Sequence, residues 1–447
     1  MRTVMGVKVC KFGGSSLADA GQFRKVRAII AADDERRYVV PSAPGKRNDH
    51  DQKVTDLLYL SHEHARQALP FDDVFARIRL RYTQLITDLN LDLDLSSQFD
   101  GIVLELSAGV SADYAASRGE FLNGQLMAAL LGWPFVDPAL CVVFDERGRL
   151  DTQATQRELS RTLGEHETAV VPGFYGSTPD GNIKTFSRGG SDITGSLVAC
   201  AAGADVYENW TDVSGMLTTD PRIVDNPHNI EVVTYRELRE LAYMGASVLH
   251  DEAVFPVREA GIPVNIRNTN DPDHPGTMIV GADHASCGDA GTVTGIAGRK
   301  NFTIIAIEKA MMNAQIGYGR RLLSVLEAND VSFEHMPSGI DTISVIVADG
   351  QLEGKLDTVL EEIRSECRPD TLDVHHDIAL IATVGRGMSR QPGTAAKLFT
   401  ALADAGVNIR MIDQGSSEMN IIVGVEAEDF ELAVRVIYKA FIAASDL

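Results

Sequence analysis

The residues best placed to do chemistry stand at the end of a short apolar segment near the N-terminus. Residues 7–12 have the apolar, β-branched pattern of a buried strand, and Gly13 and Gly14 follow them. Apolar residues then recur at helical spacing, so the segment predicts a strand, a glycine turn and a helix. Such a turn presents backbone N–H groups to an anion, and Lys11 adds a cation at the strand tip. We expect the turn to hold the terminal phosphates of a nucleotide; an ordinary βα turn with a solvated lysine is the structural alternative.

A second glycine turn lies at residues 186–194, between a strand pattern and a helix pattern of small residues. Its Arg188 is able to grip a carboxylate through two parallel hydrogen bonds, and the helix N-terminus adds positive potential. Asp192 stands near the helix N-cap. A capping aspartate with a turn arginine is the purely structural alternative. Two glycine-bearing helix starts in one domain favour a carboxylate-binding site.

Two more polar segments interrupt apolar patterns. Ser117–Glu120 falls inside a helical pattern at residues 99–131, so we expect a polar break there and a partly buried Glu120. A buried carboxylate requires a cation, which is either a structural arginine or a substrate ammonium. Asn209–Arg222 follows another strand pattern and supplies hydroxyls, a carboxylate and an arginine at the carboxyl edge of a sheet, where open α/β sheets bind ligands.

Composition limits the class of protein. The 447 residues carry a formal net charge of −22, which argues against a protein that binds nucleic acid or an anionic membrane through bulk charge. The five cysteines are scattered, and we find no signal peptide or membrane-spanning run, so we expect a cytoplasmic protein. Strand and helix patterns alternate over the first two-thirds, which predicts an α/β fold with a mostly parallel sheet.

The last third contains an internal repeat that aligns Val331–His335 with Val407–Met411. Each copy reads strand, helix, strand, strand, helix, the pattern of one supersecondary unit used twice. Two scaffold domains or a pair of effector-binding modules both fit this repeat.

These motifs, in this order, resemble the aspartate kinase signature, and the repeat resembles the tandem ACT modules of that family. The resemblance covers essentially the whole chain and includes the motif at Gly245–His250. It implies a three-layer amino-acid-kinase (carbamate-kinase-like) sandwich followed by two ferredoxin-like ACT modules. The implied domains are a catalytic domain at 1–297 and ACT modules at 298–372 and 373–447.

The resemblance also implies a role for each matching residue. On the nucleotide side, Lys11 would contact the transferring phosphoryl group, and Asp192 would orient Lys11 or the phosphate-side groups. The remaining ATP contacts would be the amides of Gly13, Gly14 and Ser15, together with Thr211, Asp212, Leu217 and Arg222.

On the substrate side, Glu120 would bind the α-ammonium of aspartate and Arg188 its α-carboxylate. Ser42, Thr55 and Ser191 would complete the aspartate site. Because the attacking side-chain carboxylate is ionised near neutral pH, the reaction needs no general base. It needs charge stabilisation by lysine, backbone amides and Mg²⁺.

Two positions depart from the family pattern. The family often has a lysine as an ATP contact where this chain has Ser247, and Lys46 is a candidate substitute. A nucleotide-contacting tyrosine of the family is replaced by Leu217. The loop from Pro44 to Lys53 is longer than in the enteric version and is a candidate lid.

The implied reaction is transfer of the ATP γ-phosphoryl group to L-aspartate, giving 4-phospho-L-aspartate and ADP, on the route to lysine, threonine and methionine. The implied partners are ATP, Mg²⁺, a lysine or threonine effector and a second copy of the chain, paired through the ACT modules. Effector contacts would include Met312, Gly319, Ser338 and Asp341. A kinase of glutamate or another related substrate, and a non-catalytic amino-acid sensor, remain as alternatives.

Overall fold

The chain forms two compact units in a computed structural model that describes residues 6–187, 189–246, 249, 251–284 and 291–443. Unit 1 consists of Met1–Met216, Asn229–Tyr235 and Val248–Cys287. Unit 2 consists of Leu217–His228, Arg236–Ser247 and Gly288–Leu447. Three segments of the range predicted as the catalytic domain, 217–228, 236–247 and 288–297, therefore belong to unit 2.

A seven-stranded sheet forms the centre of unit 1, in the order β3-β2-β1-β6-β10-β11-β9. The strands up to residue 284 are β1 (Lys8–Phe12), β2 (Arg36–Pro41), β3 (Ala169–Val170), β4 (Tyr175–Ser177), β5 (Ile183–Thr185), β6 (Val206–Thr211), β7 (Met216–Leu217), β8 (Asn229–Ile230), β9 (Val232–Thr234), β10 (Val264–Asn268) and β11 (Thr277–Val280). All neighbours in this sheet are parallel except β10 and β11. The prediction of a mostly parallel α/β sheet is confirmed.

Helices cover both faces of this sheet. The helices of unit 1 are α1 (Ala20–Ala31), α2 (Val54–Arg66), α3 (Asp72–Leu89), α4 (Ser96–Ala108), α5 (Ala112–Leu131), α6 (Thr152–Leu163), α7 (Gly190–Ala202) and α9 (Phe255–Ala260), whereas α8 (Tyr235–Tyr243) belongs to unit 2 except for its first residue. Cys10 and Phe12 of β1 share a core with the apolar faces of α1 to α5. Helix α7 packs on β1, β2 and β6, and α6 and α9 pack on α7. The result is a three-layer sandwich.

The predicted polar break at Ser117–Glu120 is wrong. These residues lie in the middle of the continuous helix α5. The helical structure is interrupted earlier, at residues 109–111, between α4 and α5, and Ser111 caps α5. The helix tolerates Arg118 because its guanidinium stacks over the rings of Tyr114 and Phe121, at 4.6 and 4.4 Å from their centroids.

Unit 2 contains a five-stranded antiparallel sheet in the order β13-β12-β14-β16-β15. Its strands are β12 (Gly295–Glu308), β13 (Thr342–Ala348), β14 (Thr371–Val384), β15 (Met411–Asp413) and β16 (Asn420–Glu426). Its helices are α10 (Tyr318–Ala328), α11 (Asp349–Leu352), α12 (Leu356–Cys367), α13 (Thr394–Asp404) and α14 (Phe430–Phe441). The second copy has the predicted order of strand, helix, strand, strand, helix. The first copy does not: in the described stretch between α10 and α12 the only strand is β13, and the predicted strand before it is reduced to isolated bridges at His335 and Ser338. Each copy has its own apolar core.

Strand β12 is divided between the two copies. Its first half, Gly295–Arg299, pairs with Leu380–Val384, and Ile296 lies in the core of the second copy. Its second half pairs with β13 and with the first half of β14, and Ile305 lies in the core of the first copy. The second copy therefore takes one strand from a position that precedes the first copy in sequence.

Helix α8 is fixed in unit 2 by a buried acid. Glu237 accepts hydrogen bonds from Arg386 Nη1 at 3.0 Å and from Thr294 Oγ1 at 2.7 Å. The segment Leu217–His228 is tied to the same unit where Arg435 Nε donates to the Ile223 carbonyl oxygen at 2.9 Å.

Candidate active site

Lys11 is held at the carboxyl end of β1 by a short ion pair. Its Nζ lies 2.6 Å from Asp192 Oδ1, in the first turn of α7. Asn209 Nδ2 donates to the same oxygen at 2.8 Å, from the position on β6 that pairs with Lys11. Strand pairing and the start of α7 thus place one cation where the parallel strands end, the expected ligand edge of the sheet.

The turn after β1 differs in detail from the prediction. Gly13 N–H donates to the Trp210 carbonyl oxygen at 3.1 Å, so this amide extends the sheet and does not face a ligand. A short 3₁₀ helix, Ser15–Leu17, comes next, and α1 begins only at Ala20, capped by Asp19. The N–H groups of Gly14 and Ser15 remain for an anion.

A close approach of two loops requires a glycine at position 45. At Gly14 the φ is −60°, an ordinary right-handed value, so no special backbone conformation demands a glycine there. Gly45 N–H donates to the Gly14 carbonyl oxygen at 2.8 Å, and a Cβ built on Gly45 would lie 2.5 Å from the carbonyl carbon of Gly14. The loops after β1 and β2 therefore touch through their backbones.

These two loops border a cavity of about 460 Å³. It is also lined by the start of α2 and by one residue of α5. The lining residues are Gly14, Ser15, Ser42, Ala43, Pro44, Gly45, Lys46, Lys53, Thr55 and Glu120. The structure therefore brings together five of the predicted site residues: Gly14, Ser15, Ser42, Thr55 and Glu120.

Glu120 is unusual in this cavity because its carboxyl group is buried. Its side chain is 6% exposed, and Oε2 is buried without a hydrogen-bond partner. Burial raises its pKa to about 8, although a backbone hydrogen bond with Ala43 and the positive charge of Arg118 act in the opposite direction. Among the residues that the structure describes, no cation is in hydrogen-bond contact with Glu120 Oε2, so the group is suited to a cation that arrives with a ligand.

The second glycine turn is described only in part. Arg188 lies outside the described residues, as do Ser247 and His250 of the motif at 245–250. Ser191 is buried in the first turn of α7, where Gly173 approaches it so closely that a Cβ would lie 2.6 Å from its side chain. The strand before α7 is β5, which pairs with β4 in a separate hairpin.

The remaining predicted nucleotide contacts belong to different units. Thr211 ends β6 in unit 1, and its Oγ1 donates to Asp212 Oδ1 at 3.2 Å. Leu217 and Arg222 belong to unit 2. There the exposed Arg222 is paired with Asp220 at 2.6 Å.

The predicted effector residues lie on two segments that meet in unit 2. Lys309 N–H donates to the Asp341 carbonyl oxygen at 2.8 Å, which joins the loop after β12 to the loop before β13. Met312 is buried, Gly319 is in the first turn of α10, and Ser338 and Asp341 are exposed.

A clamp on the loop after β2 was missed by the sequence analysis. Asp51 is bound by Arg47 Nε at 2.9 Å and by Arg81 Nη1 at 2.6 Å, and these pairs hold the pKa of Asp51 well below its usual range. Arg81, buried on α3, also donates to the Gly45 carbonyl oxygen at 2.7 Å. No pattern in the sequence links residue 81 to residues 45 and 51.

Comparison with known proteins first gives the class. Residues 6–268 match the amino acid kinase family, and residues 381–441 match the ACT domain. The chain is therefore an amino acid kinase with a C-terminal ACT region, as its parallel and antiparallel sheets also indicate.

Individual relatives then give the particular family. Aspartokinase 3 of Bacillus subtilis (strain 168) is 39% identical, over 98% of this chain and 99% of its own. The structure of Clostridium acetobutylicum aspartate kinase is 54% identical with a TM-score of 0.94, over 97% of this chain and 100% of that one. Escherichia coli aspartokinase III with aspartate and ADP is 25% identical with a TM-score of 0.72, over 97% and 99%. The structure of the same enzyme with lysine and aspartate is 26% identical with a TM-score of 0.73, and the match covers 98% of this chain and 99% of that one.

The chain belongs to the aspartokinases, the aspartate kinases of the amino acid kinase family. Its reaction transfers the γ-phosphoryl group of ATP to the side-chain carboxylate of L-aspartate, the first step toward lysine, threonine and methionine. Of the helices that the structure describes, none is long and apolar enough to cross a membrane.

Proposed function

We propose that the cavity around Glu120 binds aspartate and that the turn at Gly14 and Ser15 binds the phosphates of ATP. The observation that carries this proposal is the buried, unpartnered Oε2 of Glu120 in a cavity that the phosphate turn also lines. An α-ammonium group would pair with this carboxylate. Ser42 and Thr55 would supply hydroxyls, and Arg188 and Ser191 the contacts of the α-carboxylate.

Lys11 is proposed to stabilise the transferring phosphoryl group. The aspartate carboxylate attacks the γ-phosphorus, the bond to the ADP oxygen breaks, and no proton has to be removed from the nucleophile. Negative charge on the phosphoryl oxygens is met by Lys11 and by the amides of Gly14 and Ser15. Asp192, held by Asn209, keeps the lysine side chain at the strand end.

Thr211, Asp212, Leu217 and Arg222 are proposed as further contacts of ATP. The carboxylate of Asp212 fits a Mg²⁺ ion carried by the phosphates, because Mg²⁺ is commonly held by one or two carboxylates together with substrate phosphates. The ion would supply charge neutralisation.

Regulation by lysine is proposed because Escherichia coli aspartokinase III has a T-state structure with lysine and aspartate. Met312, Gly319, Ser338 and Asp341 would form the effector site, in a homodimer paired through the ACT modules. We also propose that the second ACT module includes Gly295–Arg299, since this segment completes its sheet. The effector is tested by measuring the initial rate while lysine or threonine is titrated. The dimer is tested by analytical sedimentation, which gives the mass of the protein in solution.

A coupled assay of ADP release tests the substrate. Turnover with ATP, Mg²⁺ and aspartate should exceed turnover with glutamate, and Arg188→Ala should mainly raise the KM for aspartate. Equal turnover with glutamate would support the related-kinase alternative. ATP binding without phosphoryl transfer would support the sensor alternative.

A further inference from the structure

The candidate aspartate cavity contains two cations that have no role in the proposed function: Lys46, which is also the candidate ATP contact in place of Ser247, and Lys53. Lys46 lies on the loop after β2, and Lys53 is the residue before the first turn of α2. In the part of the chain that the structure describes, neither ammonium group makes a hydrogen bond or an ion pair. The buried carboxyl group of Glu120 lines the same cavity, so the cavity holds two unpaired cations and an acid whose Oε2 has no hydrogen-bond partner among the described residues.

The neighbouring charges account for the two unpaired lysines. Asp51 lies between them in sequence, but its carboxylate is bound by Arg47 and Arg81. Lys11, the other cation of the site, is bound by Asp192 at 2.6 Å. The arginines and Lys11 therefore have acidic partners, whereas Lys46 and Lys53, both exposed, have none among the described residues and are available to a ligand.

The ligand that fits this arrangement carries an ammonium group and two carboxylates. With its ammonium at Glu120 and its α-carboxylate at Arg188, aspartate retains a negative side chain that must approach the equally negative phosphates. Helix α2 is 13 residues long and has no side-chain cap, so its first N–H groups add positive potential beside Lys53. Cations here would hold the side-chain carboxylate and reduce its repulsion from the phosphoryl group.

We propose that Lys46 and Lys53 bind the side-chain carboxylate of aspartate and that they are the residues by which the site distinguishes aspartate from its amide, asparagine. The proposal rests on the proposed placement of aspartate beside Glu120. Removing either lysine removes charge attraction that only aspartate uses, so the loss is specific to the charged ligand.

Calorimetric titration of the full chain, with ADP present, tests this assignment. Lys46→Met and Lys53→Met should each weaken aspartate binding at least tenfold and asparagine binding less than twofold, and Lys53→Arg should retain most of the affinity. Lys25→Met is the matched control, because it removes the same charge from an exposed lysine that donates to Asn270. Equal losses for both ligands, or unchanged aspartate binding in both variants, would overturn the proposal.

Steady-state kinetics give a second, independent measurement, which decides the case if asparagine binds too weakly to titrate. The kcat/KM for aspartate should fall at least tenfold in both methionine variants, while the KM for ATP stays within twofold. If both variants keep wild-type values, the role of the two lysines is refuted, but the proposed aspartate site is not. A wild-type protein that turns over glutamate as well as aspartate would instead refute the proposed aspartate site.

Discussion

Aspartate binding should be coupled to the loss of a proton from Glu120, and Glu120→Gln should remove that coupling. Burial raises the pKa of Glu120 to about 8, so this carboxyl group is mostly protonated in the free protein at neutral pH. An ammonium group pairs with the ionised carboxylate and not with the neutral acid. Binding of aspartate therefore has to expel the proton first.

The size of the effect follows from that pKa. With a pKa of about 8, the ionised fraction is about 1% at pH 6, about 9% at pH 7 and about half at pH 8. Affinity for aspartate should rise about ninefold between pH 6 and 7, about fivefold between pH 7 and 8, and level off above pH 9. At pH 7 the deprotonation costs about 1.4 kcal/mol, and about 0.9 of a proton is released for each aspartate bound.

Calorimetry in two buffers of different ionisation enthalpy measures both quantities. Glu120→Gln should bind aspartate weakly, with no proton release and no rise in affinity between pH 6 and 8. Any titration of aspartate itself persists in this variant, so the difference isolates Glu120. Glu105→Gln, the same chemical change at an exposed position of α4, should behave as wild type. A wild-type affinity that is flat from pH 6 to 8 would refute the reasoning.

Three further changes have defined outcomes. Lys11→Met should lower kcat by about 10²- to 10³-fold through lost charge stabilisation, whereas Lys8→Met, on the same strand, should leave kcat within twofold; comparable losses would argue for a general effect on folding. Gly45→Ala places a Cβ 2.5 Å from the backbone of the opposing glycine loop and should lower thermal stability and kcat/KM together. Gly101→Ala, where a Cβ meets nothing within 4 Å, should lower neither, and an unaffected Gly45→Ala would contradict the loop contact. Asp51→Asn leaves the buried Arg81 without a carboxylate partner and should destabilise unit 1 by about 3 kcal/mol at pH 7. Because the pKa of Asp51 is lowered in the folded protein, the wild-type advantage should be present above about pH 4 and disappear as the pH falls below it; a difference in melting temperature that does not depend on pH would refute this.

The parts of the fold that follow from local pattern could be predicted from the sequence. The strand, glycine turn and helix at residues 8–31, and the repeated units of the last third, are visible as periodicity. The helical position of Glu120 was misjudged for a physical reason. A run of charged residues inside an apolar pattern indicates an interruption of the helix. In the structure, aromatic rings accommodate Arg118 and a cavity accommodates Glu120, and the helical pattern around these residues does not show either feature.

The long-range contacts of the candidate site could not be predicted. Nothing in the sequence distinguishes Gly13 from Gly14. Only the strand pairing in the structure shows that the Gly13 N–H is bound to the Trp210 carbonyl oxygen. The clamp on Asp51 joins positions thirty residues apart, Arg81 and Asp51, through a helix packing that no local pattern specifies. Pairing of residues distant in sequence is decided by tertiary packing, and single-sequence periodicity does not contain it.

The divided strand β12 imposes an order on the assembly of unit 2. Gly295–Arg299 is synthesised before the first copy of the repeat, whereas its partner segment, Leu380–Val384, is synthesised after it. Gly295–Arg299 therefore finds its partner strand only after the whole first copy and Leu380–Val384 have been synthesised. A chain truncated at residue 372 would keep the first half of β12 as an unpaired edge, which is a template for aggregation. The second copy cannot be excised as a contiguous piece of sequence, because the first copy is inserted between its first strand segment and the rest of its sheet.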